Sequence, residues 1–358
     1  MKMHLFFFSL LLVYTINSRV IGMKPTMQKF HVMLAQRINK YIQSHKNFSG
    51  ALLIAHEGKI ILKKCYGFAN CELRKPNTPQ TRFRIASITK TFTALAIMKL
   101  QEQGLLHVQD PISHYLPDYP HGNQITIHHL LTHTSGIPNY YKYFADICNL
   151  TKLKKIVSII QHWPLEFEPG SKYMYSNSGY LLLAYIIEKV SGKTYNEFLD
   201  KNIFKPLNMH NSGQDKFKNY LSNHAHCYIK EKNTIKNSPS INSPITLLGN
   251  GDLYASLNDL YKLDQALHKG KVISQQSFDC MTIPYVTING KRSHGYGWFI
   301  DRYHNKKVIE YSGCLVGSLS KYMRFIDDKI TIILLSNVED MYHFDKICNN
   351  IPAFIFNK

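Results

Sequence analysis

Ser87 and Lys90 stand three residues apart at the start of an apolar stretch, residues 87–103, whose pattern predicts a helix. Positions i and i+3 share one face of a helix, so the serine hydroxyl and the lysine amine can touch. An amine without its proton could accept the hydroxyl proton and make the serine oxygen a nucleophile. The free N–H groups at a helix start favour negative charge on that oxygen. This spacing predicts acyl-transfer chemistry, and residues 175–177 and 311–313 could supply the rest of its site.

The same Ser-x-x-Lys spacing occurs again at Ser318 and Lys321, in a run whose pattern predicts a strand. Positions i and i+3 of a strand face opposite sides of the sheet, so this pair is not expected to meet. Ser87 and Lys90 also have ordinary alternatives, since a serine at a helix start is commonly a cap and a lysine is commonly exposed. The apolar residues 88, 92 and 95 favour burial of Lys90 instead, and burial would lower its pKa from about 10.4.

Residues 1–22 have the composition of a secretory signal, with an early lysine, an apolar run at 5–16 and small residues at 18 and 22. The apolar run is short for a membrane span, and an uncleaved membrane anchor is the competing interpretation. The sequence therefore predicts an exported protein, periplasmic or secreted, that is either free or attached through this segment.

The formal net charge is +19, from lysines and arginines scattered along the chain. Such charge favours anionic surfaces, and an exported protein meets them in the cell envelope. Nucleic acid is not an expected partner, because the sequence has no nucleic-acid-binding signature. The apolar and aromatic content is that of a globular protein, which excludes a disordered chain.

Seven cysteines occur, and none of their spacings is typical of a zinc site or a CxxC motif. Most are interpreted as small buried apolar residues, with Cys65–Cys71 as a candidate disulfide. The clustered histidines are interpreted as cap and core residues, because no acidic residue completes a metal pattern at helical spacing. No metal or organic cofactor is predicted.

The periodicity predicts strands and helices at both ends of the chain around a helical middle. A helix at 26–45 precedes a hairpin of 48–55 and 59–67, and the middle is dominated by a helix at 178–191. Residues 216–245 are polar and weakly patterned and are interpreted as a long loop or a linker back to the first domain. Four apolar runs at 295–301, 308–313, 319–325 and 330–336 predict antiparallel strands, followed by a helix at 340–356.

An ordered series of motifs resembles the serine β-lactamases and penicillin-binding D,D-peptidases, with their esterase relatives. The motifs are FRIASITK at 83–90, LLTHTSG at 130–136, PG at 169–170, YMYSNSGY at 173–180, PLNM at 206–209, GDLYASLNDL at 251–260, GYGW at 295–298 and YSGCLVG at 311–317. The resemblance implies an α+β fold: an antiparallel β-sheet flanked by helices, with an inserted all-helical domain. The boundaries are 23–110 and 240–358 for the sheet domain and 111–239 for the helical one, with the site in the groove between them.

The resemblance also implies roles for the first two motifs. Ser87 is the nucleophile and Lys90 the base, while Tyr175 donates a proton to the leaving group and later activates water. Asn177 would hydrogen-bond Lys90 and the substrate carbonyl. A core tyrosine and a helix cap are the ordinary alternatives for Tyr175 and Asn177.

The third motif, Tyr311-Ser312-Gly313, is expected on an edge strand beside the Ser87 helix. Gly313 would let the substrate lie against the backbone, and Ser312 would bind a substrate carboxylate. The backbone N–H groups of Ser87 and Cys314 would form the oxyanion hole.

Tyr311 departs from the family, in which this position is lysine or often histidine. A phenol donates a hydrogen bond but has no positive charge, which weakens the expectation of β-lactam hydrolysis more than that of hydrolysis in general. Arg292 and Arg324 are the candidates for the missing cation.

The resemblance thus implies a serine hydrolase with an acyl-enzyme mechanism. Its candidate substrates are D-Ala-D-Ala-type peptides, β-lactams and small esters, with D-Ala-D-Ala carboxypeptidase or esterase activity ranked above efficient β-lactam hydrolysis. The alternative is a non-catalytic protein that keeps the fold and binds penicillin, wall fragments or a partner.

Overall fold

The computed structural model describes residues 25–46, 48–217, 223–232, 234–239 and 244–357. The predicted signal segment, residues 1–22, lies outside the described residues. Within the described ranges no helix is long and apolar enough to cross a membrane.

The centre of the fold is an antiparallel sheet of eight strands in the order β10-β11-β12-β13-β14-β15-β1-β2. These strands are β1 Gly50–His56, β2 Lys59–Tyr66, β10 Val286–Ile288, β11 Arg292–His294, β12 Phe299–Tyr303, β13 Lys306–Leu315, β14 Ser318–Phe325 and β15 Ile330–Ser336. In this sheet β1 lies between β2 and β15, and Gly50 of β1 is opposite both Tyr66 of β2 and Ser336 of β15. The two ends of the chain therefore complete one sheet.

Shorter strands form three small sheets around this centre. They are β3 Phe68–Asn70, β4 Lys75–Pro76, β5 Arg82–Arg84, β6 Gly213–Gln214, β7 Tyr228–Glu231, β8 Thr234–Asn237, β9 Leu253–Ser256 and β16 Val338–Glu339. The hairpin of β7 and β8 corrects the prediction of a loop over residues 216–245. The sequence pattern did not predict this hairpin. Strand β8 is exposed along its whole length, so its sequence has no alternation of apolar and polar residues.

Helices cover both faces of the central sheet. They are α1 Pro25–Ser44, α2 Thr89–Glu102, α3 Ile127–Leu131, α4 Phe144–Ile147, α5 Leu153–Ile160, α6 Asn177–Ser191, α7 Tyr195–Leu199, α8 Leu257–His268, α9 Gln275–Met281 and α10 Met341–Phe356. Short 3₁₀ segments lie at Ala86–Ile88, Ile112–His114, Tyr140–Tyr143 and Pro244–Leu247, and a π-helical turn follows α7 at Asp200–Phe204. The predicted α+β class, an antiparallel sheet flanked by helices, is confirmed.

Alternating side chains of the strands divide the core into two layers. On one face, Leu52 and Ile54 of β1 pack with Ile38 of α1 and Ile347 of α10. On the other face, Leu53 and its neighbours pack in the larger cluster around α2 and α6. Because β1 is buried on both sides, its sequence is continuously apolar rather than alternating.

The strand predicted at 295–301 begins four residues later, at Phe299, and ends at Tyr303. Gly297 precedes it with φ +68°, and an added Cβ there would lie 2.9 Å from the carbonyl oxygen of Lys90. Close packing of this turn on α2 therefore requires glycine. The candidate disulfide is also wrong, because Cys65 and Cys71 are both free thiols.

Candidate active site

Ser87 lies in the 3₁₀ turn that leads into α2. Its predecessor Ala86 is buried with φ +46°, a conformation that non-glycine residues rarely adopt. The turn is fixed from both sides, since Ser320 Oγ donates to the carbonyl of Ile85 at 2.8 Å and Ile85 N donates to Leu253 O at 3.0 Å. The capping alternative fails for Ser87, because the N-cap positions are Ile85 for the turn and Ile88 for α2.

Lys90 is completely buried, which confirms the prediction made from its apolar neighbours. Its Nζ lies 3.2 Å from Ser87 Oγ and donates to the backbone carbonyl of Asn250 at 2.8 Å. No carboxylate of the described residues lies within ion-pair distance of this amine. Burial lowers the pKa of Lys90 well below its ordinary value, because the charged form would lose its hydration without gaining an anion.

The second motif is placed by the start of α6, where Ser176 caps the helix by accepting from Gly179 N. The Tyr175 hydroxyl, immediately before the cap, donates to Ser87 Oγ at 3.1 Å. Burial raises the pKa of Tyr175 to about 12, against the opposing effect of that hydrogen bond. Tyr175 is therefore a neutral phenol at pH 7, able to donate a proton but not to start as the base.

These three side chains form a continuous hydrogen-bond chain. With Tyr175 donating to Ser87 and Lys90 donating to the Asn250 carbonyl, the remaining lone pair of a neutral Lys90 can accept the Ser87 proton. The arrangement can activate Ser87 Oγ without an ionised group in the resting site.

Asn177 lies in the groove that contains Ser87, but its predicted hydrogen bond to Lys90 is not formed. The carbonyl of Asn250 occupies that role instead, and Tyr140 OH donates to the Asn250 side chain at 3.2 Å. Asn177 is the first residue of α6 rather than its cap, so the capping alternative also fails.

The third motif lies on β13, and the prediction of an edge strand needs correction. Residues 306–310 of β13 pair with β12, while residues 309–315 pair with β14. Only residues 309 and 310 are paired on both sides, and the part from Tyr311 onward, which contains the motif, has one unpaired side. The Ser87 turn packs against the face of β13 at Gly313, since a Cβ added to Gly313 would lie 2.2 Å from the carbonyl oxygen of Ile85.

Ser312, Gly313 and Cys314 line a groove of about 470 Å³ together with Ser87, Tyr175 and Asn177. The structure therefore brings these six residues to one groove. Lys90 does not line the groove but is buried against Ser87, and Tyr311 lines the neighbouring cavity. Tyr311 is 1% exposed, and its side-chain hydrogen bond with Tyr175 opposes the rise in the pKa of Tyr175 that burial causes.

Two histidines that the sequence did not single out for the site lie behind these phenols. His133 packs 4.5 Å from the Tyr175 ring, and its Nδ1 accepts from Ser176 N at 3.2 Å. His294 lies between His133 and Tyr311, at ring distances of 4.7 and 6.2 Å. Burial lowers the pKa of His294 to about 3 and that of His133 well below its ordinary value, so both stay neutral beside Lys90.

The two candidate cations have different positions. Arg324 is paired with Asp264 at 2.7 Å, in a cavity that contains none of the predicted site residues. Arg292 lines a second cavity, of about 530 Å³, with Tyr175, Tyr311 and Ser312, but its guanidinium is paired with Glu310 and stacked on Phe299. A third cation, Lys321, lies 3.0 Å from Ser312 Oγ. The sequence did not predict this contact, because Ser312 lies on the neighbouring strand and spacing within one strand does not give its register.

Comparison with known proteins identifies the family. The family model described as Beta-lactamase matches residues 34–349. The chain belongs to the beta-lactamase family. A penicillin-binding protein of Bacillus subtilis (strain 168) is 31% identical over 317 residues, which cover 84% of this chain and 70% of that protein. The teichoic acid D-alanine hydrolase of Staphylococcus aureus is 29% identical over 312 residues, covering 85% of this chain and 74% of that protein.

The solved structures agree with the fold. The crystal structure of a penicillin-binding protein from Bacillus halodurans superimposes with a TM-score of 0.79 at 30% identity, covering 88% of this chain and 98% of that one. The predicted membership in this family of penicillin-binding proteins and serine hydrolases is thereby confirmed. Among the described residues no cluster of three histidine, cysteine or acidic side chains could hold a metal ion.

Proposed function

We propose that this beta-lactamase family member is a serine acyl hydrolase that cleaves small D-alanyl-type amides or esters through an acyl-enzyme on Ser87. The observation that carries the proposal is the position of Lys90: a buried amine without an anion, 3.2 Å from Ser87 Oγ, with the Tyr175 hydroxyl 3.1 Å away on the other side. The relatives named as penicillin-binding protein and teichoic acid D-alanine hydrolase support this substrate class.

Acylation begins when Ser87 Oγ attacks the carbonyl carbon and its proton passes to Lys90 Nζ. The carbonyl oxygen gains the negative charge and is stabilised by the backbone N–H groups of Ser87 and Cys314. The carbon–leaving-group bond then breaks as Tyr175 gives its proton to the leaving nitrogen or oxygen and regains one from Lys90. Ser87 is left as an ester, with all three side chains uncharged.

Deacylation repeats these transfers with water as the nucleophile. The water oxygen attacks the ester carbon, its proton passes through Tyr175 to Lys90, and Ser87 Oγ leaves with a returned proton. Asn177, in the same groove, is placed to bind the carbonyl side of the substrate. The product acid and the free serine complete the cycle.

Peptides and esters rank above β-lactams as substrates because Tyr311 brings no charge to the third motif. We also propose that residues 23–110 and 240–358 form one domain and 111–239 another, with this groove between them. The basic chain would act outside the cytoplasm at an anionic envelope surface, as the names of its relatives suggest.

Intact-mass spectrometry after incubation with a penicillin, and separately with an activated ester, tests the proposal. One covalent adduct per chain is expected on the native protein and none on Ser87→Ala. Ser318→Ala, from the second Ser-x-x-Lys stretch, is the matched control and should keep the adduct. A non-catalytic binding protein would give no adduct with either reagent, and an adduct that persists in Ser87→Ala would contradict the nucleophile assignment.

A further inference from the structure

The first turns of α1 expose three large apolar side chains beside one another. Met27, Phe30 and Met33 are 41%, 47% and 60% exposed. Residues three apart lie on adjacent turns of a helix, so these side chains form a continuous apolar strip. Later in the same helix the apolar residues are buried, with Leu34 and Ile38 packed in the core beneath α1 and α10. The exposed strip is thus confined to the start of α1.

The apolar strip lies beyond the end of the helix that covers the rest of α1. Helices α1 and α10 run antiparallel, since His45 contacts His343 near the start of α10 and Arg37 stacks on Phe354 near its end. Helix α10 ends two residues later, whereas α1 continues for ten residues from Arg37 back to the first residue of the strip. At about 1.5 Å per residue, the strip therefore reaches about 10 Å past the end of α10.

His31 ties this part of α1 to the rest of the protein. Its Nε2 lies 3.2 Å from Nδ1 of His56, the last residue of β1. A helix that is fixed before it binds loses little conformational freedom when it meets a partner, which favours binding. The surface presented by the apolar strip is therefore already formed in the folded protein.

The charges of α1 all have one sign. Three cations lie within two helical turns of Met33, and the helix has no aspartate or glutamate: Lys29, Arg37 and Lys40. Residues 1–56 contain seven lysines and arginines and no acidic residue. Glu57, the first acidic residue of the chain, is half exposed and lies 4.0 Å from Lys329. An apolar strip bordered by cations is complementary to a surface that is anionic outside and apolar beneath.

We propose that the apolar strip and these three cations dock α1 on the surface of a bilayer that contains anionic phospholipids. The apolar side chains enter the boundary between headgroups and acyl chains, and the cations contact the lipid phosphates. A soluble anionic polymer would attract the cations but offer the strip no apolar partner, so a bilayer is the occupant that accounts for both. The inference does not depend on the activity proposed for Ser87.

The sequence before α1 brings the same kind of surface close. The apolar run of the predicted signal segment ends at Ile16, nine residues before Pro25. A chain attached to a membrane through that run would hold the start of α1 within about 30 Å of it, since an extended residue spans at most about 3.5 Å. A chain cut after residue 22 would keep the strip and its cations, so docking by α1 would persist.

Tryptophan quenching by lipids with brominated acyl chains tests this orientation in the full chain. Phe30→Trp places the probe in the strip, and Val32→Trp places it on the opposite side of α1, at a position that is 52% exposed. The measured quantity is the quenching that each new tryptophan adds to that of the native protein. It is measured on vesicles of phosphatidylglycerol and phosphatidylcholine in equal parts, and on vesicles of phosphatidylcholine alone.

On the anionic vesicles the Phe30→Trp protein should be quenched about threefold more than the Val32→Trp protein. On neutral vesicles its quenching should fall by about half or more, and adding Lys29→Gln with Lys40→Gln should cause the same fall on anionic ones. Lys193→Gln with Lys269→Gln removes two exposed cations at the ends of other helices and should leave the quenching unchanged. Equal quenching of the two tryptophan variants, or equal quenching of Phe30→Trp on both kinds of vesicle, would overturn the proposal.

Two other occupants of the strip would give different results. A second copy of the chain would give, without lipid, a dimer in sedimentation velocity that Phe30→Ser dissociates. An anionic polymer would shift the emission of the Phe30→Trp protein when polyphosphate is added, without quenching by brominated lipid. Either result would overturn docking on a bilayer. Because residues 1–22 could tether the chain to lipid without α1, the difference between positions 30 and 32, and not the total amount bound, decides the outcome.

Discussion

Two stretches of this chain share the spacing Ser-x-x-Lys, and their lysines have opposite surroundings. Lys90, one helical turn after Ser87, lies against its own serine with no carboxylate of the described chain in reach. Lys321, on a strand, turns away from Ser318 and contacts Ser312 and Glu310 of the adjacent strand. The backbone alone determines which serine each lysine meets, since i and i+3 converge on a helix and diverge on a strand.

The difference in partners gives the two amines different chemistry in one groove. A buried amine without an anion loses its proton readily and can act as a base, whereas Lys321 is held in an ion pair with Glu310. The site thus pairs a proton acceptor at Ser87 with a fixed charge at Ser312. The predictions below test the first of these roles and the contact that holds Ser87 against the strand.

Lys90→Met should produce the largest effect. It removes the amine placed to take the Ser87 proton, so the rate of covalent labelling by an activated ester should fall by about a thousandfold for charged and neutral esters alike. The variant should be at least as stable as the native protein, because it replaces a buried amine by an apolar side chain of similar length.

Lys99→Met, on the same helix, is the matched control for Lys90→Met. Lys99 is partly exposed and its Nζ donates to Val272 O, far along the helix from Ser87. Its labelling rate should stay within about twofold of the native rate, since surface charges contribute little. Near-native labelling of Lys90→Met in time-resolved mass spectra would remove the basis of the mechanism.

The sequence predicted the parts of this site that depend on local geometry. The helix after Ser87, the burial of Lys90 and the helix after Tyr175 all follow from spacing and apolar periodicity within about fifteen residues. The 3₁₀ turn that holds Ser87 itself was not predicted, since the helix was expected to begin at Ser87 and begins at Thr89. The family resemblance then supplied the pairing of distant motifs, which periodicity alone does not give.

The missed features depend on contacts between segments far apart in sequence. Asn250 meets Lys90 through a backbone carbonyl, which carries no side-chain signal at all. Lys321 meets Ser312 only through the register of two strands, and His294 reaches the phenols from β11. Strand register is set by packing of the whole sheet, so a strand pattern in one segment does not predict it.

Gly313→Ala should have the next largest effect, because Gly313 is where the strand of Ser312 touches the turn of Ser87. Its new Cβ would lie 2.2 Å from Ile85 O and 2.3 Å from Ser320 Oγ, so the strand and the turn must separate. We expect ester hydrolysis to fall by about a hundredfold, as the donors for the oxyanion move apart. The free energy of unfolding should fall by about 2 kcal/mol, measured by urea denaturation.

Gly179→Ala is the control for that substitution. Gly179 lies inside α6, and an added Cβ would be 3.5 Å from Leu130 O, an ordinary contact. Stability should stay the same or rise by about 0.5–1 kcal/mol, as expected for alanine in a helix. If both variants behaved alike, the close approach at Gly313 would not be what holds Ser87 against the strand.

The smallest predicted effect extends the comparison to a buried acid. Asp252 is buried and accepts from Gly249 N and Gln214 Nε2, but no cation of the described chain pairs with it, so burial raises its pKa to about 7. The folded state keeps this proton while the unfolded state loses it near its ordinary pKa of 3.8. Stability therefore decreases with rising pH between these values, by at most about 1.4 kcal/mol per pH unit.

Asp252→Asn removes the ionisation while Gln214 can reverse its amide to keep a hydrogen bond. Relative to the native protein, the variant should gain about 2–3 kcal/mol between pH 5 and pH 8 in urea denaturation. A difference between the two proteins that does not change with pH would mean that a buried group lacking an opposite charge keeps its ordinary ionisation here, and the same argument would then fail for Lys90.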